Sequence, residues 1–142
     1  MIQRIQSIWL FVAALMNALV FGVDLYRWEA MPAGAVAPLP LRVGDHYPSL
    51  ILVVTMTVLP IITIFMFKQR KRQMAMSAMS VVATGAFITM TLNRVGHLQV
   101  PQATGSYWIG SVLPLVADVF LILAILAIRK DESLVKSMDR LR

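Results

Sequence analysis

The sequence predicts an all-α membrane protein: four transmembrane helices in an up-down-up-down bundle, followed by a short cytoplasmic amphipathic helix at the C-terminal end. Three observations carry this. Hydrophobic residues are 58% of the chain and charged residues 14%, against about 25% charged in a soluble domain. The apolar residues are gathered into four long blocks. The basic residues sit at the ends of those blocks, and they fall on one side of a membrane only if there are four spans.

A span needs about 20 mostly apolar residues, and the four blocks give spans at about 5–23, 47–67, 74–92 and 109–128. Arg4 before the apolar stretch 8–23 resembles the start of a signal peptide. That stretch is longer than a usual signal core, and Asp24, Leu25 and Tyr26 follow it instead of a small-residue cleavage site, so a retained helix is expected. The third span is the least hydrophobic, with Ser77, Ser80, Thr84, Thr89 and Thr91. The connection 68–73 is tight, which makes the second and third helices antiparallel neighbours. The connection 24–46 holds Pro32, Gly34, Pro38, Pro40 and Gly44, which argue against a helix there, with 39–43 as a short extended piece. The connection 93–108 is polar and contains Gly96, Pro101 and Gly105. The whole chain, 1–142, reads as one domain, with an amphipathic tail over 131–142.

Orientation follows from the cations. Arg4, Lys68, Arg70, Lys71, Arg72, Arg129, Lys130, Lys136, Arg140 and Arg142 lie on one side, and Arg27, Arg42 and Arg94 on the other. Ten against three places both termini on the inner, cytoplasmic side. Tyr26, Trp28, Tyr47, Tyr107 and Trp108 fall at outer span ends and Trp9 near the inner end of the first, the depths that amphipathic rings favour.

Composition also excludes. There is no cysteine, so disulfides, thiolate metal sites and thiol redox chemistry are absent from this chain. The net charge of +6 is explained by membrane topology and anionic lipid, so no nucleic-acid partner is expected. His46 and His97, the two histidines, both fall in outer connections rather than in a span. No metal or other cofactor is therefore expected. The sequence offers no nucleophile–base pair and no acidic cluster, and an enzyme is not predicted.

Two intramembrane polar residues stand out. Asp118 lies near the middle of the fourth span, where an ionised carboxylate costs at least about 2.5–3.5 kcal/mol. It is read either as a proton or cation site or as a neutral acid bonded to a neighbouring helix. Asn17 lies in the first span. Ala14, Ala18 and Gly22 recur beside it at a spacing that lets helices approach closely, and Ser77, Ser80 and Thr84 form a similar strip on the third span. Both strips predict helix–helix contacts. Pro60 and Pro114 predict kinks in the second and fourth helices. Arg4, Lys68, Arg70, Lys71 and Arg72 are expected to meet lipid or a partner. In the tail, Leu134, Val135, Met138 and Leu141 form one apolar helical stripe. Asp131 and Glu132 at its start suit a helix dipole, and the tail is expected on the inner membrane surface or docked on a partner.

The opening Met1-Ile2-Gln3-Arg4-Ile5-Gln6-Ser7 and the closing stretch from Arg129-Lys130-Asp131-Glu132 to Met138-Asp139-Arg140-Leu141-Arg142 resemble the ends of an uncharacterised bacterial family of small four-helix membrane proteins, known from Bacteroidota. The resemblance covers the whole chain loosely and its ends closely. It implies an inner-membrane location and brings no activity with it. The expected function is that of an accessory, scaffolding or assembly subunit of a larger membrane complex, with a membrane-protein partner or a second copy. The alternative is a small oligomeric proton-linked transporter or channel using Asp118.

Overall fold

The computed structural model describes residues 2–30, 39–67, 69–98 and 103–139, with the side chains of 2–4, 30 and 136–139 outside that description. Lys68 and Leu141, and the side chains of Arg4 and Met138, therefore lie outside the described residues. The elements in chain order are α1 (Ile2–Leu19), β1 (Tyr26–Ala30), α2 (Tyr47–Phe65), α3 (Arg70–His97), β2 (Thr104–Tyr107) and α4 (Ile109–Asp139). Among the described residues, four helices are long and apolar enough to cross a membrane.

Each helix buries one row of residues spaced alternately four and three apart. The row is Gln6, Leu10, Ala13 and Asn17 on α1, and Ser49, Val53, Met56, Pro60 and Thr63 on α2. On α3 it is Gln73, Ser77, Ser80, Thr84, Phe87 and Thr91, and on α4 Ala117, Leu121, Ala124 and Ile128. This is the spacing of helices packed knobs-into-holes around a shared axis. Helix α1 packs on α2 and α4, and α3 packs on the same two. The outward rows are large and apolar, among them Ile8, Phe11 and Leu15 on α1 and Val112, Leu115 and Val119 on α4. A chain that is apolar outside and contains hydroxyls and amides inside fits hydrocarbon as its solvent.

The helices differ from the predicted spans mainly in length. Helix α3 has 28 residues and α4 has 31. At 1.5 Å per residue they reach about 42 and 46 Å, well beyond a hydrocarbon layer about 30 Å thick. Helix α4 runs unbroken to Asp139, so no break separates the fourth span from the tail expected over 131–142.

The polar connections fold into an ordered cap at the opposite end from the α2–α3 turn. Strands β1 and β2 pair antiparallel, with Tyr26 opposite Tyr107 and Trp28 opposite Gly105. Leu41 bridges to the other edge of β1: its carbonyl accepts from Leu25 N at 2.7 Å and its own N–H donates to Tyr26 O at 2.9 Å. The short extended piece expected at 39–43 is this bridge, followed by a 3-10 turn at Val43–Asp45. The ribbon itself was not among the expectations. Its strands are 5 and 4 residues long and come from different connections, so neither shows enough alternation alone.

Candidate functional site

Three polar constellations are candidates: one inside the bundle, one in the ribbon cap, and one at the α2–α3 turn.

The first begins with a proline. Pro60 lacks the N–H that would bond Met56 O, four residues earlier in α2. Two other helices supply the missing donors. Asn17 Nδ2 of α1 donates to Met56 O at 2.9 Å, and Ser80 Oγ of α3 donates to the same oxygen at 3.2 Å. Thr84, one turn beyond Ser80, approaches Met56 Sδ at 3.8 Å and also interacts with the carboxyl of Asp118 on α4. A single polar belt thus touches all four helices. Asn17, Ser80 and Thr84 are fully buried. Asp118 is only half-buried, because it sits one residue off the buried row of α4, on the side toward α3. Among the described residues, Asn17 Oδ1, Ser77 Oγ and Asp118 Oδ1 are buried without a hydrogen-bond partner.

The same device recurs at the turn end. Gln6 Nε2 donates to Ala127 O at 3.1 Å, and Gln73 Nε2 donates to Thr63 O at 3.0 Å. Sequence reasoning did not single out either glutamine. Their places in the four-three rows were the available signal. The strip Ser77, Ser80 and Thr84 is buried as its spacing required; of the small residues near Asn17, Ala14 is buried, Ala18 is half-buried, and Gly22, in the 3-10 turn Val20–Gly22 after α1, is exposed.

The second constellation is centred on Asp24, a residue that sequence reading had only noted as following the first span. Its carboxylate accepts from Arg42 Nε at 2.7 Å and Arg27 Nε at 2.6 Å. The hydrogen bond from Arg42, then that from Arg27, hold this acid below its ordinary value of 3.8. The Arg27 guanidinium also lies 4.3 Å from the centre of the Trp108 ring. Backbone meets backbone here. Gly110 N donates to Asp24 O at 3.2 Å, while Trp108 N and Ser111 Oγ both donate to Leu25 O. A Cβ at Gly110 would stand 2.5 Å from Asp24 O, and one at Gly105 would stand 2.6 Å from the Tyr26 ring. Only glycine fits either place. The spacing of Asp24 and Arg27 was a weak hint of the pair; Arg42 could not have been assigned to it. Near this cap, His46 and His97 line one open pocket of about 500 Å³ with Asn93 and Arg94. His46 Nδ1 is occupied in capping α2, accepting from Ser49 N. Among the described residues no group of three or more His, Cys, Asp or Glu side chains is placed to hold a metal ion.

The third constellation joins the start of α3 to the continuation of α4. Arg70 Nη2 pairs with Asp131 Oδ2 at 2.8 Å, and Arg70 Nη1 also reaches Asp131 O. Asp131 was expected to open a separate tail helix; it lies within α4 and ties that helix to the turn. Phe67, Gln69, Arg70, Lys71, Arg72, Glu132 and Val135 line a cleft of about 770 Å³ beside this pair. The structure therefore brings Arg70, Lys71, Arg72 and Val135 together, and it places Asn17 and Asp118 on one belt without direct contact. Leu134, the other described residue of the apolar stripe, is exposed on α4.

The model of one family, described as a domain of unknown function (DUF4293), matches residues 2–141. The chain belongs to this family. The expectation drawn from its two ends, an uncharacterised domain, is thereby met. Together with four membrane-length helices, this describes a DUF4293 membrane protein of uncharacterised function. Comparison with curated proteins and with solved structures gave no match.

Proposed function

We propose that this DUF4293 protein is a non-catalytic accessory or assembly subunit of a larger inner-membrane complex. In this reading the bundle runs up-down-up-down with both termini in the cytoplasm, which the ten-to-three distribution of cations supports. The observation that carries it is the length of α4. Its 31 residues exceed a membrane crossing by about 11 residues, or about 16 Å. The excess is a rigid post braced by Arg70–Asp131, with Leu134 exposed on it. A stiff helix held at a set angle and bearing an apolar side chain is suited to presenting itself to a partner. The polar belt supports the same reading, since its donors go to backbone carbonyls between helices.

The test is purification of the tagged full chain from native membranes in mild detergent, followed by mass spectrometry. A stoichiometric membrane-protein partner that is lost in Leu134→Glu is the expected result. Recovery of the chain alone, under extraction that keeps other complexes intact, would overturn it.

One observation favours the alternative, an oligomeric proton-linked transporter: the half-buried Asp118 on the α3 side of α4, with one oxygen unpartnered among the described residues. Ala117 and Leu121 fill the bundle axis beside it, so a pathway would run between copies. Reconstituted vesicles carrying Asp118→Asn decide. A proton flux present in the native chain and abolished in the variant supports transport; equal flux in both removes it.

A further inference from the structure

The cleft at the α2–α3 turn is lined by three cations, Arg70, Lys71 and Arg72, against one carboxylate, Glu132, and this balance favours an anion. Its volume of about 770 Å³ lies between the first turn of α3 and the post of α4. Arg70 is neutralised by Asp131, and that pair fixes the distance between the two walls. Arg72 is steadied by one hydrogen bond, from Nη1 to Gln69 Oε1 at 2.8 Å, leaving its other nitrogens available. The Lys71 side chain makes no hydrogen bond or ion pair among the described residues. The first turn of α3 has no side-chain cap, so its amide donors and the positive end of the helix dipole add to the same field.

The depth of the cleft selects the source of the anion. Phe65 and Phe67 are exposed just before it, and the cations follow within a few residues. That is the transition from hydrocarbon to head groups, where the phosphates of lipids stand. Phe67 and Val135 line the same cleft, giving apolar surface for the glycerol end of a chain that a free phosphate would not need. Basic pockets between helices at this depth suit anionic head groups.

We propose that this cleft binds the phosphate head group of an anionic phospholipid, with Lys71 and Arg72 as its ligating cations and Arg70 as the brace that sets its width. This goes beyond the accessory role, since the lipid lies in the corner at the membrane surface whether or not a partner meets the post.

The experiment is native mass spectrometry of the purified full chain, mixed in turn with phosphatidylglycerol, phosphatidylcholine and inorganic phosphate. The expected result is one bound phosphatidylglycerol, little phosphatidylcholine and no retained phosphate. In K71Q/R72Q, affinity for phosphatidylglycerol should fall by up to about thirtyfold, taking about fivefold per cation. K71R/R72K should keep the preference. R129Q/K130Q, which removes two cations outside the cleft, should bind as the native chain does. Equal retention of both lipids, retention of inorganic phosphate, or equal losses in K71Q/R72Q and R129Q/K130Q would each overturn the site; the last would mean diffuse surface charge.

Discussion

The ribbon cap and the interior of the bundle satisfy polar groups by opposite means. In the cap, a carboxylate is held between two guanidiniums, and backbone is pressed so close to backbone that two positions admit no side chain. In the interior, among the described residues, there is no ion pair. Amides and hydroxyls reach across to backbone carbonyls instead. Solvent explains the contrast. At the cap, water covers the partly exposed arginines, so charge is inexpensive to keep. In hydrocarbon each charge carries a penalty of about 2.5–3.5 kcal/mol or more, so uncharged donors hold the helices. The Asp118 carboxyl group lies at the edge of its helix rather than on the buried row.

The largest effect should come from breaking the cap where it is tightest. Gly110→Ala places a methyl group against Asp24 O, which is backbone and cannot swing away. The expected loss is about 3 kcal/mol, read as a lowered melting temperature in detergent. A melting temperature equal to that of native protein would mean that the close approach is not needed.

In the interior, Asn17 and Ser80 share one acceptor, so their effects should not add. Each single alanine leaves Met56 O with one donor and should cost about 0.6–1 kcal/mol. The double variant strips that carbonyl of both, and should cost about 1 kcal/mol more than the sum of the singles. Strict additivity in the double-mutant cycle would show that the two bonds are independent.

Acid separates the two regions most sharply. Asp24 has a folded-state value below its ordinary 3.8. Its stabilising contribution is therefore fully present above about 3.8, and is lost as pH falls through the lower folded value. Fluorescence of Trp108, which packs on Arg27, should report cap loosening below pH 3.8 while the helical signal of the bundle persists. Asp24→Asn should remove that pH dependence. A Trp108 signal unchanged down to pH 2 would contradict the assigned role of Asp24. The smallest effect is expected at Gln6, where Gln6→Leu removes one donor to Ala127 O, an oxygen already within a helix. It should cost about 0.5 kcal/mol, and a loss above about 2 kcal/mol would show that this bond is a principal tie.

Four helices of membrane length, with Asn17 and Asp118 within the first and the fourth, were legible, because apolar run length and an isolated polar residue are local signals. The length of α4 was not: Arg129, Lys130 and Asp131 look like a stop, yet Asp131 has a partner in Arg70, 61 positions earlier. The cap was illegible for the same reason. Asp24 meets Arg42 across a proline-rich connection, and β1 meets β2 only after two helices have intervened. Pro60 read as a kink, but nothing local could reveal that the carbonyl it leaves unbonded would be claimed by two other helices.

The two donors on that shared carbonyl are also made at different times. As a chain emerges from a ribosome, α1 and α2 are complete before α3 exists, so the bond from Asn17 to Met56 O is available to a two-helix intermediate. Ser80 arrives later and takes the remaining lone pair of the same oxygen. β1 must wait until α3 has been made, since β2 follows α3 in the chain, and Gln6 waits longer still for Ala127 of α4. An order in which contacts become available is therefore written into the chain: the first hairpin, then the third helix on it, then the ribbon, and last the ties to α4 from Gln6 and Arg70.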